Sequence, residues 1–225
     1  MSLNTQVTIS LAAPDDDGVC VSQTPSAGGA QNLTINGALA SGGIATLDVN
    51  RRVLITSSGN DSGRTFTIYG TNRYGNVQET ITGPNTGVVY SVFDYKTITR
   101  VSVDGNTAGN IKVGTNQIAS TQWFPFNLDL TPFNCSLFTS VSNGASLTYT
   151  VEHTPVDIEQ FAVNGSLPAP NVAQRYIFPH DSSALVVAST SQDGNYAFPV
   201  FATRLTLNTY ASGDVVFFVK QAYKY

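Results

Sequence analysis

Charge is what this chain has least of: 12% of its 225 residues are Asp, Glu, Lys or Arg, about half the share of an ordinary soluble domain. Only three Glu and four Lys are present, so the residues that usually fill helix surfaces are missing and a mainly helical fold is excluded. The net charge of −4 lacks the basic excess with which proteins meet phosphate backbones, which argues against nucleic acid as a direct partner. No apolar run approaches the length of a membrane span. Residues 1–18 contain no Lys or Arg, so neither a membrane segment nor an export signal is expected. Cysteine is reduced to Cys20 and Cys135, far apart and outside any C-x-x-C pair. They could form one disulfide, but two buried free thiols suit a chain made in a reducing cytoplasm. The four N-x-[ST] sequons, at Asn32, Asn60, Asn134 and Asn164, are accordingly read as unglycosylated.

What the chain has instead is Thr, Ser and Asn, 65 residues together, with 41% hydrophobic residues. That content is ample for a core and rules out intrinsic disorder. Short alternating runs recur between turn residues. Phe66, Ile68 and Gly70 share one parity against Thr65, Thr67 and Tyr69, before Arg73-Tyr74-Gly75-Asn76. Val101 and Val103 are followed by Asp104-Gly105 and then Ile111 and Val113. Leu147, Tyr149, Val151 and His153 alternate with Thr148, Thr150 and Glu152, and Asn143-Gly144 just before them is a hairpin-type signal. No segment keeps helical spacing over three turns. The pattern predicts an all-β protein of two β-sandwich units, jelly-roll or Ig-like.

An internal comparison supports two units. Thr99-Arg100-Val101-Ser102-Val103-Asp104 aligns with Thr203-Arg204-Leu205-Thr206-Leu207-Asn208, and Gly109 and Ile111 then meet Gly213 and Val215 at the same offset of 104 residues. Amphipathic strands alone would explain the apolar matches; the matched Arg100 and Arg204 are the added signal. Residues 1–29 lack sustained periodicity and end in Pro25–Gly29. They are read as an extended N-terminal arm with a hinge, ahead of domains at 30–117 and 118–225.

Catalytic chemistry has little to draw on. His153 closes a strand and His180 lies in Phe-Pro-His-Asp, each read as structural or surface, and no G-x-S-x-G, H-E-x-x-H or P-loop occurs. Asp15-Asp16-Asp17-Gly18 does not fit an EF-hand and is read as a solvated acidic turn. No catalytic residue, metal or cofactor is therefore expected. Aromatic residues are more suggestive. In Val215-Val216-Phe217-Phe218-Val219 both parities are apolar, so the strand is either covered on both faces within the fold, or Val216 and Phe218 meet another subunit. With Trp123, Tyr223 and Tyr225 they form the candidate interface. Exposed rings such as Trp123 or Tyr210 would also suit a carbohydrate-binding module.

Several segments resemble a group of tailed-bacteriophage virion proteins: Asp16-Asp17-Gly18-Val19-Cys20 leading to Ser22-Gln23-Thr24-Pro25, Asn36-Gly37-Ala38-Leu39, and Asn60-Asp61-Ser62-Gly63. Phe66–Asn72, Glu79–Asn85, Val113–Asn116, Tyr149–Thr154 and Ala202 through Ala222 continue the likeness, which covers most of the chain. The stretch after Thr154 is less acidic than in many such sequences. The resemblance implies an all-β virion structural protein without cofactor or catalytic residues. The expectation is a capsid decoration or cement protein in the phage head, assembled in the host cytoplasm. It would bridge major capsid protein subunits and associate with itself, as a trimer rather than a dimer, with its arm laid across a neighbour. The alternatives are a tail, adaptor or fibre-associated component, or a glycan-binding attachment module.

Overall fold

A computed structural model describes residues 3–156 and 175–221. Its strands are β1 (Leu3–Ile9), β2 (Cys20–Gln23), β3 (Gln31–Asn32), β4 (Ala40–Ser41), β5 (Ile44–Asn60), β6 (Thr65–Asn72), β7 (Gly75–Thr82), β8 (Asn85–Val103) and β9 (Ile111–Ser120). There follow β10 (Phe124–Pro125), β11 (Cys135–Val141), β12 (Ser146–Thr154), β13 (Phe178–Pro179), β14 (Gln192–Tyr196), β15 (Ala202–Ser212) and β16 (Val215–Gln221). Among the described residues the one helical element is a single 3-10 turn, Ser183–Leu185. The fold is all-β and every pairing whose register is resolved is antiparallel.

The chain divides into two compact units. Among the described residues the first takes those up to Leu11 and those from Gln117 onward, and the second is Ala12–Asn116. The first unit is a two-sheet sandwich. One sheet has the order β1-β16-β11-β14, the other β13-β12-β15-β9, with β10 beside β15. Alternation dictates what each sheet buries: Leu137, Val215, Phe217 and Val219 from the first and Tyr149, Val151, Leu205 and Leu207 from the second are all 0% exposed. The two inner faces meet through the Phe124 and Phe217 rings, 6.0 Å apart, and through a 2.6 Å hydrogen bond between the Thr139 and Tyr149 hydroxyls.

In the second unit the strand order is β9-β5-β8-β6-β7, with β2 on β9, β3 on β8 and β4 on β5. The long strands β5 and β8 shift register three times against each other, the kind of irregularity at which a strand bends from one layer of a sandwich toward the other. Phe66, Ile68, Val101, Ile111 and Val113 are fully buried, the parity predicted from their alternation. β6 and β7 form a hairpin in which Asn72 pairs with Gly75 across Arg73-Tyr74. A Cβ added at Gly70 would lie 1.9 Å from the Thr97 carbonyl oxygen, so only glycine lets β8 approach β6 here. Gly70→Ala must push the two strands apart, and we expect a loss of roughly 1–3 kcal/mol, read as a shift in the urea midpoint.

Two expectations are corrected by these pairings. Residues 3–29 do not form a free arm. Leu3–Ile9 pairs along its whole length with β16, from Leu3 with Gln221 to Ile9 with Val215, while Val19 and Cys20 are 0% exposed in the second unit. Neither segment looked periodic enough to be core, because β1 buries one parity of an edge strand and the buried stretch of β2 is short. Asn143-Gly144, with Gly144 at φ 77°, does turn the chain sharply, but it carries it from β11 into β12, which lies in the opposite sheet. The turn residues are those of a hairpin; the partners of the strands are set by distant segments.

Candidate functional site

β16 sits between β1 and β11, so its backbone is satisfied on both sides and only its faces remain available. Val215, Phe217 and Val219 fill the core, and Val216 and Phe218 project from the outer face half-buried. Register places Phe218 opposite Phe138 of β11 and Gln6 of β1, and Val216 opposite Ser140 and Thr8. Phe138 is 42% exposed. It joins Val216 and Phe218 in a small apolar surface framed by Asn4, Gln6, Thr8, Ser136 and Ser140, with Lys220 and Asp193 at its margins. Sequence reading named Val216 and Phe218 because both parities of β16 are apolar. It missed Phe138, whose alternating strand Cys135-Ser136-Leu137-Phe138-Thr139 gives no sign that its one outward phenyl ring lies beside Phe218.

Trp123 belongs to a different surface of the same unit. The Arg204 guanidinium lies 4.5 Å from its ring centroid. Arg204 Nε donates to Glu152 Oε2 at 2.7 Å, and the same oxygen accepts the Thr206 hydroxyl at 2.8 Å. Arg204 and Glu152 are cross-strand partners on β15 and β12, so the stack is built on the sheet and holds one face of the indole. At the matched position of the second unit, the Arg100 guanidinium lies 3.6 Å from the centroid of Tyr69, its cross-strand partner. The aligned arginines thus share a role, each a cation laid on an aromatic ring. Tyr210 is not an exposed platform: it is 7% exposed and its hydroxyl donates to the Gly213 carbonyl at 2.8 Å. Tyr223 and Tyr225 lie outside the described residues.

The remaining polar candidates are built into the fold. Both cysteines are free and buried; burial pushes the Cys20 thiol up to about 12 and the Cys135 thiol to about 11, far from nucleophilic reactivity. His153 and His180 are 8% and 6% exposed within a ring cluster around Tyr196. The carboxylates of Asp15, Asp16 and Asp17 lie within 4.8 Å of one another, with Asp16 paired to Lys112 at 3.1 Å. That turn is clamped to β9 by the Thr115 N–H donating to the Asp15 carbonyl at 2.7 Å. Gly114 makes the approach feasible, since a Cβ there would lie 2.0 Å from that same oxygen. In the resembling segment at Asn60–Gly63, the buried Asp61 carboxylate accepts the backbone N–H of Ala108 at 2.7 Å and ties two loops together.

Among the described residues no helix is long and apolar enough to cross a membrane. Comparison of the chain with protein-family models, curated proteins and solved structures gives no match. The class that fold and surface define is therefore an all-β sandwich protein with an apolar outer face on one sheet.

Proposed function

We propose that this protein is a structural component of a tailed-phage virion, acting as a decoration or cement protein on the head. The observation that carries this reading beyond the sequence resemblance is the outer face of the β1-β16-β11-β14 sheet. There Val216, Phe218 and Phe138 stand among amide and hydroxyl side chains, with charge confined to the margins. Such a surface loses little by desolvation and suits repeated docking on capsid subunits and on copies of itself. The function is mechanical: each copy adds buried area across neighbouring subunits, and the gains sum over the shell.

Deleting residues 2–28 cannot test this, because the cut removes β1 and the buried Val19 and Cys20 with it. The clean test is Phe138→Asp with Phe218→Asp, two outward positions whose loss leaves the core intact. Full coverage of a phenylalanine is worth about 1.5–3 kcal/mol, so binding of the double variant to shells lacking the protein should fall by at least about tenfold with the near-UV dichroism unchanged. Undiminished binding would remove this face from the proposal. Copy number per particle separates the head from the tail axis: hundreds of copies support decoration, whereas six or twelve would support a tail or adaptor component.

A further inference from the structure

The short strand β13 lies at the edge of the second sheet of the first unit, held to β12 by a pair of histidines. His153 on β12 is the register partner of Phe178, and the two rings stack with centroids 5.9 Å apart and planes at 26°. His180, just past β13, donates its backbone N–H to the Val151 carbonyl at 2.9 Å, and its side chain turns inward. Its ring centroid lies 4.7 Å from that of Tyr196, which is itself 5.2 Å from His153. One imidazole thus sits on the strand that receives β13 and the other on the segment being held. Inside, His153 Nδ1 and His180 Nε2 are buried with no aligned hydrogen-bond partner among the described residues. The Ser182 backbone N–H donates to His180 Nδ1 at 2.9 Å, so the neutral ring carries its proton on Nε2 and a second proton would face a donor.

We propose that Phe178–His180 is an acid-released strap: protonation of His153 and His180 detaches it from β12 while the rest of the first unit stays folded. A cation on either ring has little to meet. At His180 the Asn195 carbonyl favours it, and the anion that favours it on both rings is Asp181, which is exposed. Glu152 of β12 is engaged by Arg204 and Thr206. The other titratable groups of the cluster, Tyr196 of β14 and the Cys135 thiol of β11, are raised by burial and stay neutral. Each imidazolium would also repel the other. Burial accordingly holds both histidines below the usual imidazole value, against the pull of Asp181. The open form, with ordinary histidines, then takes up protons below about pH 6.5 that the closed form refuses, and its population grows by up to about tenfold per pH unit for each histidine. Release stops at Leu185, which is 0% exposed, and at the reciprocal 2.8 Å hydrogen bonds between Tyr149 and Ala188. It leaves Val151 and His153 of β12 with an unpaired edge open to another strand.

Hydrogen exchange of the full chain between pH 7.5 and 5, corrected for intrinsic rates, tests this. Protection of the His180 amide should fall between pH 6.5 and 5, by up to about tenfold per pH unit for each histidine, while the Ala188 amide keeps its protection. His180→Asn preserves an acceptor for Ser182 and cannot titrate, and His153→Phe preserves the stack on Phe178. Each should lessen the fall, and together they should abolish it. A His180 amide unchanged by pH, a parallel loss at Ala188, or a fall that persists in the folded double variant would overturn the proposal. Should the double variant fail to fold, the imidazole C2 proton resonances of the unaltered protein decide: midpoints below 6.5 that track the loss of protection support the strap, and midpoints at or above 6.5 refute it.

Discussion

Arg51→Met should cost the protein about 3–5 kcal/mol of stability, the penalty for removing one partner of a buried charged network. Arg51 is 1% exposed in the second unit. One Nη donates to the Ala12 carbonyl at 3.1 Å and to Asp48 Oδ1 at 3.0 Å, and the other donates to the Asn116 carbonyl. A single side chain thus gathers the start and end of the unit onto β5. Methionine fills much of the volume but donates nothing, so two carbonyls and a carboxylate each lose one hydrogen bond at once. Burial pushes the Asp48 carboxyl up, yet the Ala12 N–H at 2.6 Å and the Arg51 guanidinium outweigh it and hold it below the usual carboxylate range. The test is urea unfolding followed by far-UV dichroism. A loss under about 1 kcal/mol would mean that water replaces the guanidinium at little cost.

Acidification from pH 7 to pH 4.5 should stabilise the second unit by about 3 kcal/mol through one carboxyl, that of Glu79 on β7. Glu79 is 2% exposed. Its two oxygens accept the backbone N–H groups of Val92 at 2.6 Å and Phe93 at 3.0 Å. Those bonds and the nearby Arg52 favour the ion, but burial is the larger effect and lifts the group from 4.5 to about 7. Between those values the folded chain holds a proton that the unfolded chain has released. This stability is therefore complete below pH 4.5 and is lost as the pH rises through 7. Glu79→Gln should flatten the slope in urea titrations at pH 5 and pH 7.5, and an unchanged slope would assign it elsewhere. The histidines of the first unit carry the opposite sign, so acid strengthens one unit where it loosens a strap on the other.

Alternation made the core-facing parity of β6, β9, β12 and the end of β8 legible before any coordinates, because a strand's two faces are a property of neighbouring residues. What could not be read was pairing. Nothing in Leu3–Ile9 tells that its partner is Val215–Gln221, since complementarity between polar-apolar strands is nearly degenerate and the choice rests on how the rest of the chain closes. Arg51 and Glu79 were passed over for the same reason: each looks like a solvated charge in a polar run, and only distant carbonyls and amides make burial tolerable. The outward apolar pair on β16 was legible as an anomaly of pattern, whereas Phe138 became part of the surface only through register. His153 and His180 looked inert one at a time; their shared hold on β13 exists only in space.

The pairing of β1 with β16 also sets an order of events during synthesis. Among the described residues the second unit is one uninterrupted stretch, Ala12–Asn116, set inside the first unit between Leu11 and Gln117. The ribosome therefore delivers the described residues of the inserted unit while β1 still waits for a partner more than 200 residues downstream. The insert can fold first, and doing so shortens the loop whose closure brings β1 to β16. Until β16 emerges, β1 and β11 are both unpaired on the sides they later share with it. β16 then enters between them and completes the sheet that bears Val216 and Phe218.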